Sequence, residues 1–225
     1  MTAPSASRHN SRGRRLGLYA AVALPPLALA IIGVTHPHHL TMASALYWRN
    51  LHVITLPIFP LLGFAPWLIV RFRHSLALSW AAGILGFVFA VFYTGLDVLA
   101  GIGAGGLKLD SMGMATGTVF GLGDSLGRIG AIALIVAVLL ARIVSILSAG
   151  ARAIPGSLLV LAGSILLWRN HIFFPFGVLG QVLLAAGWVA VLLALRRVWS
   201  SSGIDPEAIS SQEISPEEQP APQHP

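Results

Sequence analysis

The chain has 225 residues, of which 56% are hydrophobic and 10% charged, with no cysteine and a formal net charge of +6; its mean hydropathy is +0.80. Soluble domains carry roughly 45–50% apolar and about 25% charged residues, so a water-soluble globular fold is excluded. The missing cysteines also exclude disulfides, thiolate metal ligands, iron–sulfur clusters and thiol catalysis.

A bilayer-spanning helix needs about 20 mostly apolar residues, and the uncharged intervals predict six of them. The first runs from Leu16 to Thr35, behind a basic segment, residues 1–15. It is too long for a signal-peptide core of 7–15 residues and is followed by His36-Pro37-His38-His39 rather than a small-residue cleavage site, so it reads as an uncleaved span. The Arg14-Arg15 pair is not a twin-arginine signal, since no large exported domain follows. The second span, Leu51 to Val70, opens with His52 and carries Pro57, Pro60 and Pro66. The third, Ser75 to about Gly101, is interrupted by Asp97, and the glycines from Gly101 to Gly106 predict its end and a glycine-rich outer loop reaching Thr116.

The fourth span lies around Arg128 and Arg142, which enclose only thirteen residues, about 20 Å of helix against a core about 30 Å thick. It must start before Arg128, near Thr118, or finish beyond Arg142, near Leu147. The fifth, Ile154 to Trp168, and the sixth, Phe176 to Leu195, are joined by a short connection that makes them antiparallel neighbours. From residue 200 the composition turns to Ser, Pro, Glu and Gln, with five of the eight acidic residues between Asp205 and Glu218. Such a segment buries too little apolar surface to order and predicts a disordered tail, residues 200–225.

The fold expected is therefore all-α: a six-helix transmembrane domain over residues 16–199. Lys and Arg orient it. Ten fall on the side of the termini and four, Arg49, Lys108, Arg128 and Arg169, on the other, which places both termini in the cytoplasm of a plasma membrane protein. The basic excess is topogenic and lipid-facing, so nucleic acid is not an expected partner. The expected partner is the bilayer, with a lipid-like substrate or a membrane partner subunit.

That topology gathers His36, His38, His39, His52 and His171 on the outer face, with Asp97 and Asp124 nearby. Two or three imidazoles with a carboxylate form a ligand set for zinc, copper or iron, and two imidazoles from neighbouring helices can hold haem. The expected ligands are His36, His38, His39 and His52, with Asp97 as ligand or general base, Asp124 a further catalytic candidate, and His171 in support. The plainer reading of the histidine string is a set of solvated or headgroup-contacting side chains. A carboxylate within a span marks a functional site by default. Tyr93 lies one turn earlier on the same face, and Arg128, Arg49 or Arg169 is the expected counter-ion if Asp97 is merely salt-bridged. Asp124 and Arg128 stand four apart, which predicts a local ion pair.

Trp48-Arg49-Asn50-Leu51-His52 recurs as Trp168-Arg169-Asn170-His171. It reads as interface chemistry, with Trp at headgroup depth and Arg snorkelling outward. No GxSxG, HExxH or Walker A pattern occurs, and nothing marks Ser111 or Ser125 as an activated nucleophile. The reading is a metal- or haem-dependent membrane enzyme acting on a lipid-like substrate or a quinone. The alternatives are a transporter that uses Asp97 as a proton or cation site, with a proline-broken second span, and a non-catalytic accessory subunit.

Overall fold

Uncharged runs of Leu, Val, Ile and Ala have one low-energy solution away from water, the helix, because it satisfies every backbone polar group within the segment. In a computed structural model that describes residues 6–71 and 76–201, helices account for nearly all of the chain and no strand occurs among the described residues. The acidic tail falls outside the described residues. Eight α-helices follow in order: α1 (Ala6–Gly33), α2 (Ala45–Thr55), α3 (Phe64–Arg71), α4 (Leu76–Leu96), α5 (Ala104–Leu109), α6 (Thr116–Ala149), α7 (Ile154–Asn170) and α8 (Phe176–Ser201).

Among the described residues, four helical runs are long and apolar enough to cross a membrane: Arg15–Gly33, Leu76–Leu109, Gly113–Asn170 and Phe176–Arg196. A fifth arises if α2 and Phe59–Arg71, bent by 41° from each other, form one broken span. The break is where the prolines predict it. Pro57 and Pro60 lack the N–H groups that would continue α2, and a 3-10 turn, Phe59–Gly63, carries the chain into α3.

The fourth expected span resolves its short interval at both ends. α6 is 34 residues long, about 51 Å, so it starts before Arg128 and also ends after Arg142. Gly150 follows it at φ 60°, a conformation glycine adopts without steric cost, and α7 packs back against α6. The expected hairpin of the last two helices is present. A Cβ on Gly163 would lie 2.6 Å from the Gly180 carbonyl oxygen and one on Gly156 2.9 Å from that of Gly187, so the missing side chains set how closely α7 and α8 approach. α8 also packs along α1, and α6 along α4. The buried core, with Leu29, Phe59, Phe89, Leu134, Leu184 and Trp188 among its larger members, runs between these pairs.

The glycine-rich outer loop predicted from Gly101 is not a loop. Asp97–Gly103 continues α4 as a π-helix, and α5 extends it to Leu109. The glycines serve proximity: a Cβ on Gly101 would strike the His52 ring, and one on Gly105 would lie 2.8 Å from the Cβ of Arg49. Helix α2 therefore lies directly on the π-helix and α5, and that contact builds the site.

Candidate metal centre

Three segments far apart in sequence deliver three imidazoles to one point. His36 follows α1, His52 lies in α2, and His171 caps α7 at φ 49°. One ring nitrogen of each lies within 4.8 Å of the others, and this is the only such group among the described residues. The His52 and His171 rings are parallel, with centroids 6.1 Å apart and an interplanar angle of 5°. His36 stands edge-on to both, at 5.1 Å and 5.8 Å.

Each ring has its Nδ1 engaged. Nδ1–H of His36 donates to the Pro37 carbonyl at 2.8 Å, and that of His52 to the Trp48 carbonyl at 2.7 Å. His171 Nδ1 and the Tyr93 hydroxyl share a hydrogen bond of 2.8 Å. Hydrogen bonds to carbonyl oxygens fix the tautomer that leaves Nε2 with a free lone pair, the arrangement usual for a metal-bound histidine. The Nε2 atoms of His36 and His171 are buried and have no partner. Burial pushes the His36 imidazole down to about 4 despite its bond to Pro37, with His52 and His38 adding smaller effects. Burial likewise carries His171 well below its ordinary value, helped by His36 and His52. Both rings are held neutral, as ligands must be.

Aromatic rings and two glycines hold this geometry. Phe173 packs edge-on to His36 at 4.5 Å, and Phe59 stacks on His171 at 5.0 Å. The positive φ of His171 costs about 1–3 kcal/mol in a residue with a side chain, and the turn behind it closes tightly: a Cβ on Gly177 would meet the His171 carbonyl oxygen at 2.7 Å, and one on Gly33 would strike that of Ile172. On the other side, the Trp48 indole donates to the Ala100 carbonyl at 3.0 Å. In a π-helix the bonding pattern is i→i+5. Residues four apart then share a face, so Asp97 and Gly101 both turn toward α2. Gly101 receives the His52 ring, and Asp97 Oδ2 accepts from Thr55 Oγ1 at 3.2 Å.

Asp97 is fully buried, with Oδ1 unpartnered. None of Arg128, Arg49 or Arg169 forms an ion pair with it, because its partner is a hydroxyl, and it is not one of the three grouped donors. His38 and His39 are exposed and also lie outside the group. His38 stacks on Phe173 at 5.6 Å, since Pro37 turns the chain outward after His36. Asp124 and Arg128 are both exposed on α6, without the ion pair their spacing predicts and away from the three imidazoles. Arg49 is half-buried and reaches only its neighbour Asn50, at 3.4 Å.

Sequence reasoning underrated His171 and the repeat that contains it. The two Trp-Arg-Asn strings deliver the two parallel imidazoles, and Trp48 is a buried donor rather than a headgroup anchor. The recurrence was the available signal, since each string ends in a histidine. Three donors with bonds of about 2.0–2.1 Å sit roughly 3.4 Å apart around a tetrahedral ion, so the widest pair must close by about 1.4 Å. Haem fits poorly. A porphyrin needs an open slot between two axial rings, and here the rings pack on one another and on Trp48, Phe59 and Phe173.

No protein-family model, no curated protein and no solved structure matches this chain.

Proposed function

We propose that the protein is a plasma-membrane metal enzyme in which His36, His52 and His171 hold a zinc or copper ion at the outer end of a six-helix bundle. The observation that carries this reading is the meeting of three Nδ1-anchored imidazoles from three separate segments. Solvated loop histidines have no reason to converge, to be buried, or to leave buried Nε2 atoms without partners, as His36 and His171 do. Three protein ligands with an open fourth position are the pattern of catalytic rather than structural zinc. An ion bound there supplies Lewis-acid and water-activating chemistry. The chain contributes ligand geometry, a cover of aromatic rings that excludes bulk water, and a carboxyl group one helical turn beneath. A centre at the outer rim of a bundle suits an amphiphilic, lipid-like substrate that approaches from the bilayer.

The six-span arrangement is part of the same reading. The run Gly113–Asn170 has 58 residues, about 87 Å if straight, far beyond one bilayer thickness. Taken as two spans that reverse at Gly150, and with the bent α2 and α3 pair as one, the bundle has six spans. The ten-to-four distribution of basic residues then keeps both termini cytoplasmic. Asp97 within a span and the break between α2 and α3 favour a second reading, passage of the ion through the bundle.

Elemental analysis of untagged protein purified in detergent without chelators tests the first reading. It predicts near-stoichiometric zinc or copper, lost in His36→Ala, His52→Ala and His171→Ala. Folded wild-type protein that neither carries nor binds either metal sinks it. Under the second reading, reconstituted vesicles accumulate the ion and Asp97→Asn stops accumulation while stoichiometry holds.

A further inference from the structure

A divalent ion among three neutral imidazoles would place two positive charges beside Trp48, Phe59 and Phe173, among largely buried side chains. Buried charge is tolerated only where opposite charge stands near. Asp97 is the one carboxyl group buried among the described residues, while Asp110 and Asp124 are exposed. It is fastened to the site by three contacts. Thr55 Oγ1, which donates to Asp97, also lies 3.3 Å from the His52 carbonyl oxygen. Gly101, four residues on, touches the His52 ring, and Tyr93, four residues back, is hydrogen-bonded to His171. Among the described residues no basic side chain neutralises Asp97, and its Oδ1 has no partner. A carboxyl group without a counter-ion and three imidazoles without a charge are complementary, and a cation between them completes both.

Resting on the three-imidazole reading, we infer that Asp97 is the counter-charge of this centre and makes it select a divalent ion over a monovalent one. It acts through space, not as a ligand, so it is a specificity-determining residue. Coulomb energy scales with the product of the charges. Removing the carboxylate charge therefore lowers the logarithm of affinity about twice as much for a divalent ion as for a monovalent one, whatever the distance and dielectric.

The experiment is a competition titration of untagged wild type, Asp97→Asn, Asp97→Glu and Thr55→Val with Zn(II) and, separately, Ag(I), against a chromophoric chelator in detergent. Asp97→Asn is expected to lose Zn(II) affinity on the order of 100-fold and Ag(I) affinity only about 10-fold. Asp97→Glu restores Zn(II) preference, and Thr55→Val, which keeps the carboxyl group, retains the wild-type ratio of the two affinities. Equal losses for both ions in Asp97→Asn, or a ratio shifted as far by Thr55→Val, would make Asp97 a structural residue and overturn the inference. Unchanged Zn(II) binding in Asp97→Asn overturns it alone. Wild type that binds neither ion overturns the three-imidazole reading together with it.

Discussion

Replacing Gly101 by alanine adds one methyl group at the contact on which the centre depends. The new Cβ would stand 2.6 Å from the Cβ of His52, and closer still to two of its ring carbons. Carbon atoms pack at about 3.5–4.0 Å, so His52 must retreat by about 1 Å or more. Retreat is obstructed, because the Trp48 carbonyl holds its Nδ1 and the His36 ring lies on another side. Overpacking of this kind costs about 1–3 kcal/mol, a fall in Tm of roughly 2–12 °C for a chain of this length. The effect on the metal is larger. Ligand bonds are good to about 0.2 Å, and a displacement five times that size adds to the closure of about 1.4 Å that the donors already need to reach one ion. Affinity should fall by more than the roughly 10–100-fold typical of losing a supporting partner. Gly106→Ala is the control from the same glycine-rich run: nothing lies within 4 Å of its Cβ, and alanine within α5 should be neutral or stabilising by up to about 1 kcal/mol. Zn(II) titration and thermal unfolding in detergent give both quantities. Wild-type affinity and Tm in Gly101→Ala would refute the contact, and with it the packing of α2 on the π-helix.

Other outcomes follow from the same geometry. His171→Ala should abolish zinc binding, whereas His38→Ala and His39→Ala keep the stoichiometry; elemental analysis of the three variants distinguishes a defined centre from a loosely histidine-rich face. Trp48→Phe should cost about 0.5–1.5 kcal/mol in thermal or denaturant unfolding, since it removes the buried indole hydrogen bond to the Ala100 carbonyl. Stability of the metal-free protein should depend on pH with a definite sign. His36 and His171 have depressed values in the folded state, so the unfolded chain binds more protons below about 6.5. Their contribution is complete above that pH and lost as pH falls toward 4, and a flat Tm between pH 7 and 4 would contradict it. Because the chain has no cysteine, a single Met114→Cys on the fully exposed turn before α6 should react with an impermeant maleimide added outside intact cells, and labelling only after lysis would reverse the proposed orientation.

Much of this protein is legible in its sequence because long apolar runs leave so few solutions. Charge-free runs place the starts of α7 and α8, at Ile154 and Phe176, whereas α6 runs past both Arg128 and Arg142. Pro57 and Pro60 announce the break between α2 and α3 through their missing N–H groups. Asp97, His36 and His52 are visible as sites, since a polar group in or beside an apolar run needs a reason. The sequence misleads at Gly101–Gly106, where glycine has two physical meanings. Without tertiary neighbours it signals chain flexibility, but against the facing α2 it is the absence of a Cβ that lets His52 and Arg49 approach.

Composition and charge spacing by themselves determined an all-helical chain with helices long and apolar enough to cross a membrane. They could not determine which histidines meet. That choice depends on helix pairing: α2 lies against the π-helix, and α7 against α8, bringing residues 36, 52 and 171 together while Pro37 sends His38 and His39 outward. The two Trp-Arg-Asn strings are alike in sequence, yet Trp48 is buried and Trp168 is 40% exposed, because only the first has a glycine-bearing π-helix to dock on. Local chemistry supplies the donors, and close packing between segments more than a hundred residues apart decides which of them share a point in space.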